Sequence, residues 1–315
     1  MTETEQKALL TVVLMAAAAD GRDEATERAE IMRIANSLSK DSPQNVTAIY
    51  QDVSAKRVTM ADAVAGLTTP DARRMAYELA VGVCNADGAE NEAERAFLSS
   101  LKAALGFDAA TAASAAAFSA SATALAVAPL GAVSSAEPAG RTQMSADELN
   151  RVILNYAILN GALELLPDSM ATLAIVPLQM KMVYRIGRSY GVELDRGHIK
   201  EFVATAGVGL ASQFVEQIGV KLVGAIFGGG LVGGLLGGLA GQSVSSGFSF
   251  ATTYALGQLA VKYYAGGRTL SSQMLQATYE QLLGEAKALQ GKHLTEIQEK
   301  ARGINVSQLL QDIRQ

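Results

Sequence analysis

Leu222 to Val261 is a run of 40 residues without one charged side chain, and its first twenty residues contain nine glycines. Forty helical residues extend about 60 Å, twice the roughly 30 Å hydrocarbon core of a bilayer, which is the length of a tight two-helix hairpin. In water each glycine inside a helix costs about 0.5 to 1 kcal/mol, so a glycine-rich helix needs neighbours that use the missing side chains. The pairs 224/228, 229/233, 230/234, 233/237, 234/238 and 237/241 repeat the small-xxx-small spacing that lets two helix backbones nest. The run therefore predicts a glycine-zipper hairpin, either inserted in a membrane or buried as the core of a soluble domain, with a conditionally inserting, pore-like segment as a third form. A membrane hairpin would place Lys221, Lys262 and Arg268 on one side and Tyr254, Tyr263 and Tyr264 near the interface, with Gln242, Ser243, Ser245, Ser246 and Ser249 around the turn. The same glycine faces can join copies of the chain into a homo-oligomer.

The other 275 of the 315 residues decide what accompanies this segment. A chain of this length has room for about two domains. Hydrophobic residues make up 49%, charged residues 18%, and the mean hydropathy is +0.19, too apolar for general disorder. Through Asp108 there are 17 acidic and 11 basic residues, net −6; the remaining 14 acidic and 15 basic residues give +1. That asymmetry marks two differently composed parts. The total of −5 argues against nucleic acid as a partner, because a duplex binder neutralises phosphates with a basic footprint. One cysteine and two histidines exclude an intrachain disulfide and any cysteine-cluster metal site. The acidic start, Glu3 and Glu5, opposes a secretion signal and leaves an uncleaved cytoplasmic amino terminus as the expectation. Gly228-x-Gly230-x-x-Gly233 matches a dinucleotide fingerprint only formally, since no βαβ pattern surrounds it, and the P-loop pattern is absent.

Residues 1–108 read as consecutive helices. Thr2 to Glu5 has capping-box spacing, Ser42-Pro43 and Thr69-Pro70 place a cap before a first-turn proline, and Gly106 stops a periodic helix. Ala19 to Ala29 aligns with Ala86 to Ala96 at an offset of 67, each copy an apolar helix, an Asp-Gly break and an acidic helix start. The pattern predicts a pseudo-symmetric bundle of duplicated hairpins. The acids fall at Asp20, Asp23 and Glu27, and at Asp87, Glu90 and Glu94. Asp23/Glu27 and Glu90/Glu94 are i,i+4 pairs predicted to share a helix face. Each preceding Asp lies near a helix end where negative charge is disfavoured, an arrangement that a hard cation such as Ca²⁺ or Mg²⁺ would relieve. The same residues also read as turn formers and helix caps that need no metal, and their spacing does not match an EF-hand loop.

At these positions the chain resembles the TerB family of tellurite-resistance-associated helical domains, related to the amino-terminal domain of DjlA-type co-chaperones. The likeness lies in the paired Ala-Asp-Gly hairpins, a Glu seven residues after each Asp, and Leu105-Gly106-Phe107-Asp108. It implies an all-helical bundle with an acidic, divalent-cation-binding surface, linked to envelope stress and partner recruitment, with no catalysis. Residues 109–144 are dominated by Ala, Ser and Thr, lack charge until Glu137, and read as a flexible linker.

Residues 145–268 form the second predicted domain, opened by a Ser145 to Glu148 capping box, with Met170, Met180 and Met182 as core. From about Leu163 to Gly267 the chain is similar to the YcjF-type domain, through Leu166-Pro167-Asp168, Leu178 to Val183, Tyr190-Gly191-Val192, the glycine run and Thr253 to Gly257. This resemblance implies a membrane-associated helical module that partners a GTPase on another chain. Residues 269–315 read as a helical tail broken at Gly303, with His293 facing solvent; His198 sits at a helix start, and Cys84 is a buried small hydrophobe.

The expected fold class is all-α: an acidic bundle, an Ala/Ser-rich linker, and a second helical domain carrying the glycine-rich hairpin 222–261. The expected function is a non-enzymatic, membrane-associated adaptor or stress-response protein at the cytoplasmic face of an inner membrane, whose acidic head recruits a cation or protein partner. The alternative is a soluble, cytoplasmic, divalent-cation-binding stress protein with the hairpin as core. An enzyme is the weakest reading, since a carboxylate-dependent hydrolase would need both acidic clusters to face one pocket holding metals about 3.5 to 4 Å apart.

Overall fold

The computed structural model describes residues 2–19, 46–86, 90–130, 144–166, 169–206 and 248–314, and every regular element in them is an α-helix. The described residues fall into two compact units that divide between Val127 and Ala128.

In the first unit, α1 (Glu3–Ala17) is the central helix. Leu9, Leu10, Val12, Val13 and Leu14 are all buried, as required of a helix that is apolar around most of its circumference. Around α1 stand α2 (Val46–Ser54), α3 (Met60–Ala65), α4 (Pro70–Cys84) and α5 (Glu92–Leu105). Local chemistry sets the ends. Thr2 and Glu5 form the predicted reciprocal box, Thr59 and Asp62 form another, and Thr69 caps α4 with Pro70 in the first turn. Gly106 closes α5 in the left-handed conformation, φ 62°. Arg73 then ties two chain segments together, its Nε donating to the Leu67 carbonyl at 3.0 Å and its Nη1 to the Leu105 carbonyl at 3.3 Å.

The expected tether does not begin at residue 109. Ala109–Ala126 is a helix, α6, packed on α4. Asp108 caps it by accepting from the Thr111 N–H at 2.7 Å. Alanine has the highest intrinsic helix propensity, and with a cap in place the interspersed Ser and Thr do not break the helix. Ala115, Ala122, Leu125 and Ala126 are buried, and α6 is long and apolar enough by length and composition to cross a bilayer. Residues 131–143 of the expected linker lie outside the described residues.

In the second unit, α11 (Phe248–Ala265) packs against α7 (Ala146–Glu164), α9 (Ile175–Ser189) and α12 (Ser272–Gly303). The short α8 (Ser169–Leu173) precedes α9, α10 (Arg196–Thr205) follows it, and α13 (Val306–Arg314) closes the described chain. The box between Ser145 and Glu148 opens α7 as expected. Gly267 and Arg268 turn the chain in the left-handed region, φ 69° and 64°, between α11 and α12. α12 buries Leu275, Tyr279, Leu282, Ala286 and Ile297 and so belongs to the body of this unit.

The charge-free run is thus described only in its last part. No residue from Phe248 to Val261 is exposed, and Phe250, Ala251, Ala255, Leu256, Leu259 and Ala260 have no accessible surface. Residues 222–247, with all nine of the glycines, lie outside the described residues.

Candidate functional site

The second acidic turn connects α4 to α5. Asn85 ends α4, and its side-chain Nδ2 donates both to the Val81 carbonyl at 2.9 Å and to Glu90 Oε1 at 2.8 Å. From α6, Ser119 Oγ approaches the same carboxylate oxygen at 3.4 Å. Glu90 is therefore held from two sides. Arg95 Nη1 donates to the Glu90 carbonyl, fixing its backbone as well. The neighbouring Tyr77 phenol is raised above its ordinary pKa by burial; the hydrogen bond with Ser119 acts the other way, and the nearby Glu90 charge adds to the rise.

Asn85 Oδ1 is buried and has no hydrogen-bond partner among the described residues. Turning the amide over would set this oxygen against the Val81 carbonyl and the Glu90 carboxylate, so the orientation is dictated by its neighbours. Leaving such an acceptor unsatisfied costs about 1 to 3 kcal/mol.

The predicted sharing of a helix face by Glu90 and Glu94 is not found. Asn91 is the N-cap of α5, so Glu90 precedes the helix, while Glu94 occupies the third position and turns back to accept from the Asn91 N–H at 2.7 Å. Asn91 Oδ1 in turn accepts from the Glu94 N–H at 3.0 Å. Reciprocal capping satisfies two otherwise orphaned backbone donors and moves the start of the helix past Glu90. Asp20, Asp23, Glu27 and Asp87 lie outside the described residues. Among the described residues no group of three or more His, Cys, Asp and Glu side chains is placed to hold a metal ion. What the described turn offers is one positioned carboxylate beside one buried amide oxygen, both hard oxygen donors.

Residues 1–117 match a protein family of unknown function, DUF533. That family is related to the TerB-like tellurite-resistance proteins. The match takes in the acidic turn, passes Asp108 into α6, and does not reach the second unit. No curated protein and no solved structure matches the chain.

Beyond the DUF533-like unit, the structure assembles a polar seam that hydrophobic periodicity does not reveal. α7 and α11 run antiparallel, with successive rungs at Glu164/Ser249 and Asn160/Thr253. The Ser249 N–H donates to Glu164 Oε2 at 2.8 Å. Thr253 Oγ1 accepts from Asn160 Nδ2 at 2.9 Å and, from α9, Gln179 Nε2 at 3.1 Å. Asn160 Oδ1, Gln179 Oε1 and Ser249 Oγ are buried without a partner among the described residues. One rung further along, the helices close to a glycine contact: a Cβ at Gly257 would lie 2.8 Å from both Cγ atoms of Ile153. The available sequence signal was the pair of i,i+4 polar spacings, Asn160/Glu164 and Ser249/Thr253.

On α9, Lys181 is 2% exposed, and burial, aided by the nearby Arg196 charge, brings its amine down to about 8. Arg196 donates to the Ala128 carbonyl and, at 3.8 Å, to Met180 Sδ. His293 departs from its expected solvent-facing position. Its ring stacks on Phe250 at 5.8 Å, with Nδ1 3.1 Å from Glu296 Oε2. His198 stays at the start of α10 against Asp195, and Cys84 is buried in α4.

Proposed function

We propose that the chain is a non-enzymatic adaptor working at a membrane, in which the DUF533-like unit recruits a divalent cation or a basic protein surface and the second unit provides the membrane-facing base. The observation that carries the recruiting part is the fixation of Glu90 by Asn85 and Ser119. A carboxylate positioned before its partner arrives loses little side-chain freedom on binding, which favours recognition. Asn85 Oδ1, unsatisfied among the described residues, adds a second oxygen donor on the same turn. The membrane part is supported by the 40 uncharged residues of Leu222 to Val261, ending at Lys262. On this reading residues 163–267 act as a YcjF-like module whose partner is a GTPase carried by another chain, with copies able to associate through their glycine faces.

Titration calorimetry of the full chain with Ca²⁺ and with Mg²⁺ tests the cation. Binding heat that is lost in Glu90→Gln supports it; no heat with either ion removes it and leaves a protein partner as the target. Carbonate washing of cell membranes tests the base, because complete release of the protein into the soluble fraction would remove anchoring. A second reading, a soluble divalent-cation-binding stress protein, is favoured by the burial of Phe248 to Val261 within the chain. Complete carbonate release together with retained Ca²⁺ or Mg²⁺ heat would select it.

A further inference from the structure

We infer that the polar seam of the second unit binds a small monovalent cation such as Na⁺ between α7, α9 and α11, through the side-chain oxygens of Asn160, Gln179, Thr253 and Ser249. This site is separate from the Glu90 turn and needs neither the recruiting nor the membrane role to exist.

The first observation is a set of buried oxygens from three helices. Asn160, Gln179, Ser249 and Thr253 are at most 1% exposed, yet Asn160 Oδ1, Gln179 Oε1 and Ser249 Oγ have no hydrogen-bond partner among the described residues. Each such group, left unmet, costs about 1 to 3 kcal/mol. Turning the amides over does not cure this. Asn160 Nδ2 lies 3.5 Å from the Ile175 carbonyl as well as 2.9 Å from Thr253 Oγ1, so a turned Asn160 would set oxygen against oxygen. Thr253 has a single hydroxyl proton, which serves at most one of the two amide oxygens. The oxygens also converge. Both amide nitrogens meet at Thr253 Oγ1, at 2.9 and 3.1 Å, and an amide oxygen is about 2.3 Å from its own nitrogen, so both oxygens fall within about 5.5 Å of Thr253 Oγ1. Ser249 stands one turn earlier on the same face of α11, about 5 to 6 Å away. Oxygens on opposite sides of a bound hard cation are about 5 Å apart, which matches this spacing.

The second observation is the charge of the seam, and it selects a cation over a water molecule. Of the five seam side chains, Glu164 is the one with a charge; it is 4% exposed and accepts from the Ser249 N–H at 2.8 Å. A water would meet the oxygens and leave the seam negative, whereas a monovalent cation meets the same oxygens and brings the seam to neutrality. A divalent ion would overshoot it. α7 ends at Glu164, so the negative end of its dipole lies at this rung and offsets the positive end of α11 beside it. Amide, hydroxyl and carboxylate oxygens are the donors that hard cations take, with no nitrogen or sulfur among them.

The test is amide hydrogen exchange of the full chain in one detergent buffer, with EDTA present to remove divalent ions. Rates are compared in about 150 mM sodium chloride and about 150 mM choline chloride, which match in ionic strength while choline is too large for the seam. For a dissociation constant of about 15 mM, sodium favours the closed seam roughly tenfold. We expect the α11 amides from Phe250 to Leu259 to exchange roughly tenfold more slowly in sodium, and the α1 amides of the other unit to be unchanged. Ser249→Ala removes one oxygen and adds no bulk, so it should at least halve the sodium effect. Thr253→Val/Asn160→Leu/Gln179→Met makes the seam apolar and should abolish it. Equal α11 rates in the two salts would overturn the cation site and leave water as the occupant. Equal slowing of α1 and α11, a general salt effect, would overturn it too, as would a sodium effect undiminished in both variants.

Discussion

Replacing Glu5 by Gln should loosen the DUF533-like unit by an amount that depends on pH. The Glu5 carboxylate accepts from the Thr2 N–H at 3.0 Å, the Thr68 hydroxyl at 2.7 Å, the Thr69 N–H at 3.0 Å and the Thr69 hydroxyl at 2.9 Å. One side chain thus closes the start of α1 and holds the segment that caps α4. The Thr2 backbone bond, followed by the threonine bonds and opposed by burial, lowers its pKa from 4.5 to about 2. At about 1.36 kcal/mol for each pH unit, that difference sets a ceiling of about 3.4 kcal/mol.

The side chain is 2% exposed by area but has few protein atoms around it. The second measure governs screening, since it reflects how close the high-dielectric solvent lies, so we take about half the ceiling, roughly 1.5 kcal/mol. A depressed carboxylate contributes its full stability above the unfolded pKa of 4.5 and loses it as pH falls toward about 2. At pH 7, α1 amides of Glu5→Gln should therefore exchange roughly tenfold faster than those of the wild type in the full chain. By about pH 3.5 at least two-fifths of the wild-type advantage should be gone. A gap that is the same at both pH values would refute the charge argument and assign the loss to shape alone. No gap at pH 7 would refute the role of Glu5 altogether.

Gly257→Ala should lower the stability of the second unit by about 1 to 3 kcal/mol in urea titration, because its methyl meets both γ carbons of Ile153 at 2.8 Å, and the same change should cost less in a chain that carries Ile153→Ala, which lacks those carbons. Thr253→Val leaves two buried amides without their shared acceptor and should destabilise by about 1 to 3 kcal/mol, whereas the triple change Thr253→Val/Asn160→Leu/Gln179→Met should melt at or above the wild-type temperature; a triple variant less stable than the single one would refute the account of the seam. Asp108→Ala should speed amide exchange in the first turn of α6, which its carboxylate caps, and leave α11 unaffected. Ser119→Ala and Asn85→Leu should both weaken any Ca²⁺ or Mg²⁺ heat that depends on Glu90, the first through lost positioning and the second through loss of the amide that holds the carboxylate; unchanged heats would separate the cation from this turn.

The acidic turn shows how far local pattern reached and where it stopped. Residue types and spacing marked Glu90 and Glu94 as notable, but two chemistries competed for them, ligation on a shared face and capping. Asn91 decided the competition by taking the N-cap, leaving Glu90 outside the helix. The alanine-rich segment after Asp108 posed a similar choice, and there the propensity of alanine with a capping aspartate outweighed the Ser and Thr that suggested a tether. His293 could not be placed from its polar neighbours, because Phe250, its ring partner, is 43 residues earlier in the chain.

Sequence alone determined that the chain is helical and where many helices start and stop, since caps and turns involve groups only three or four positions apart: Thr2 with Glu5, Ser145 with Glu148, Gly106 behind Leu105. Only the tertiary structure decided what surrounds the end of the charge-free run. An uncharged helix has the same composition whether lipid or protein covers it, and the groups that cover α11 come from elsewhere in the chain, with Asn160 93 residues and Gln179 74 residues from Thr253. Burial is a property of which distant segments meet, and a linear pattern records only that something must.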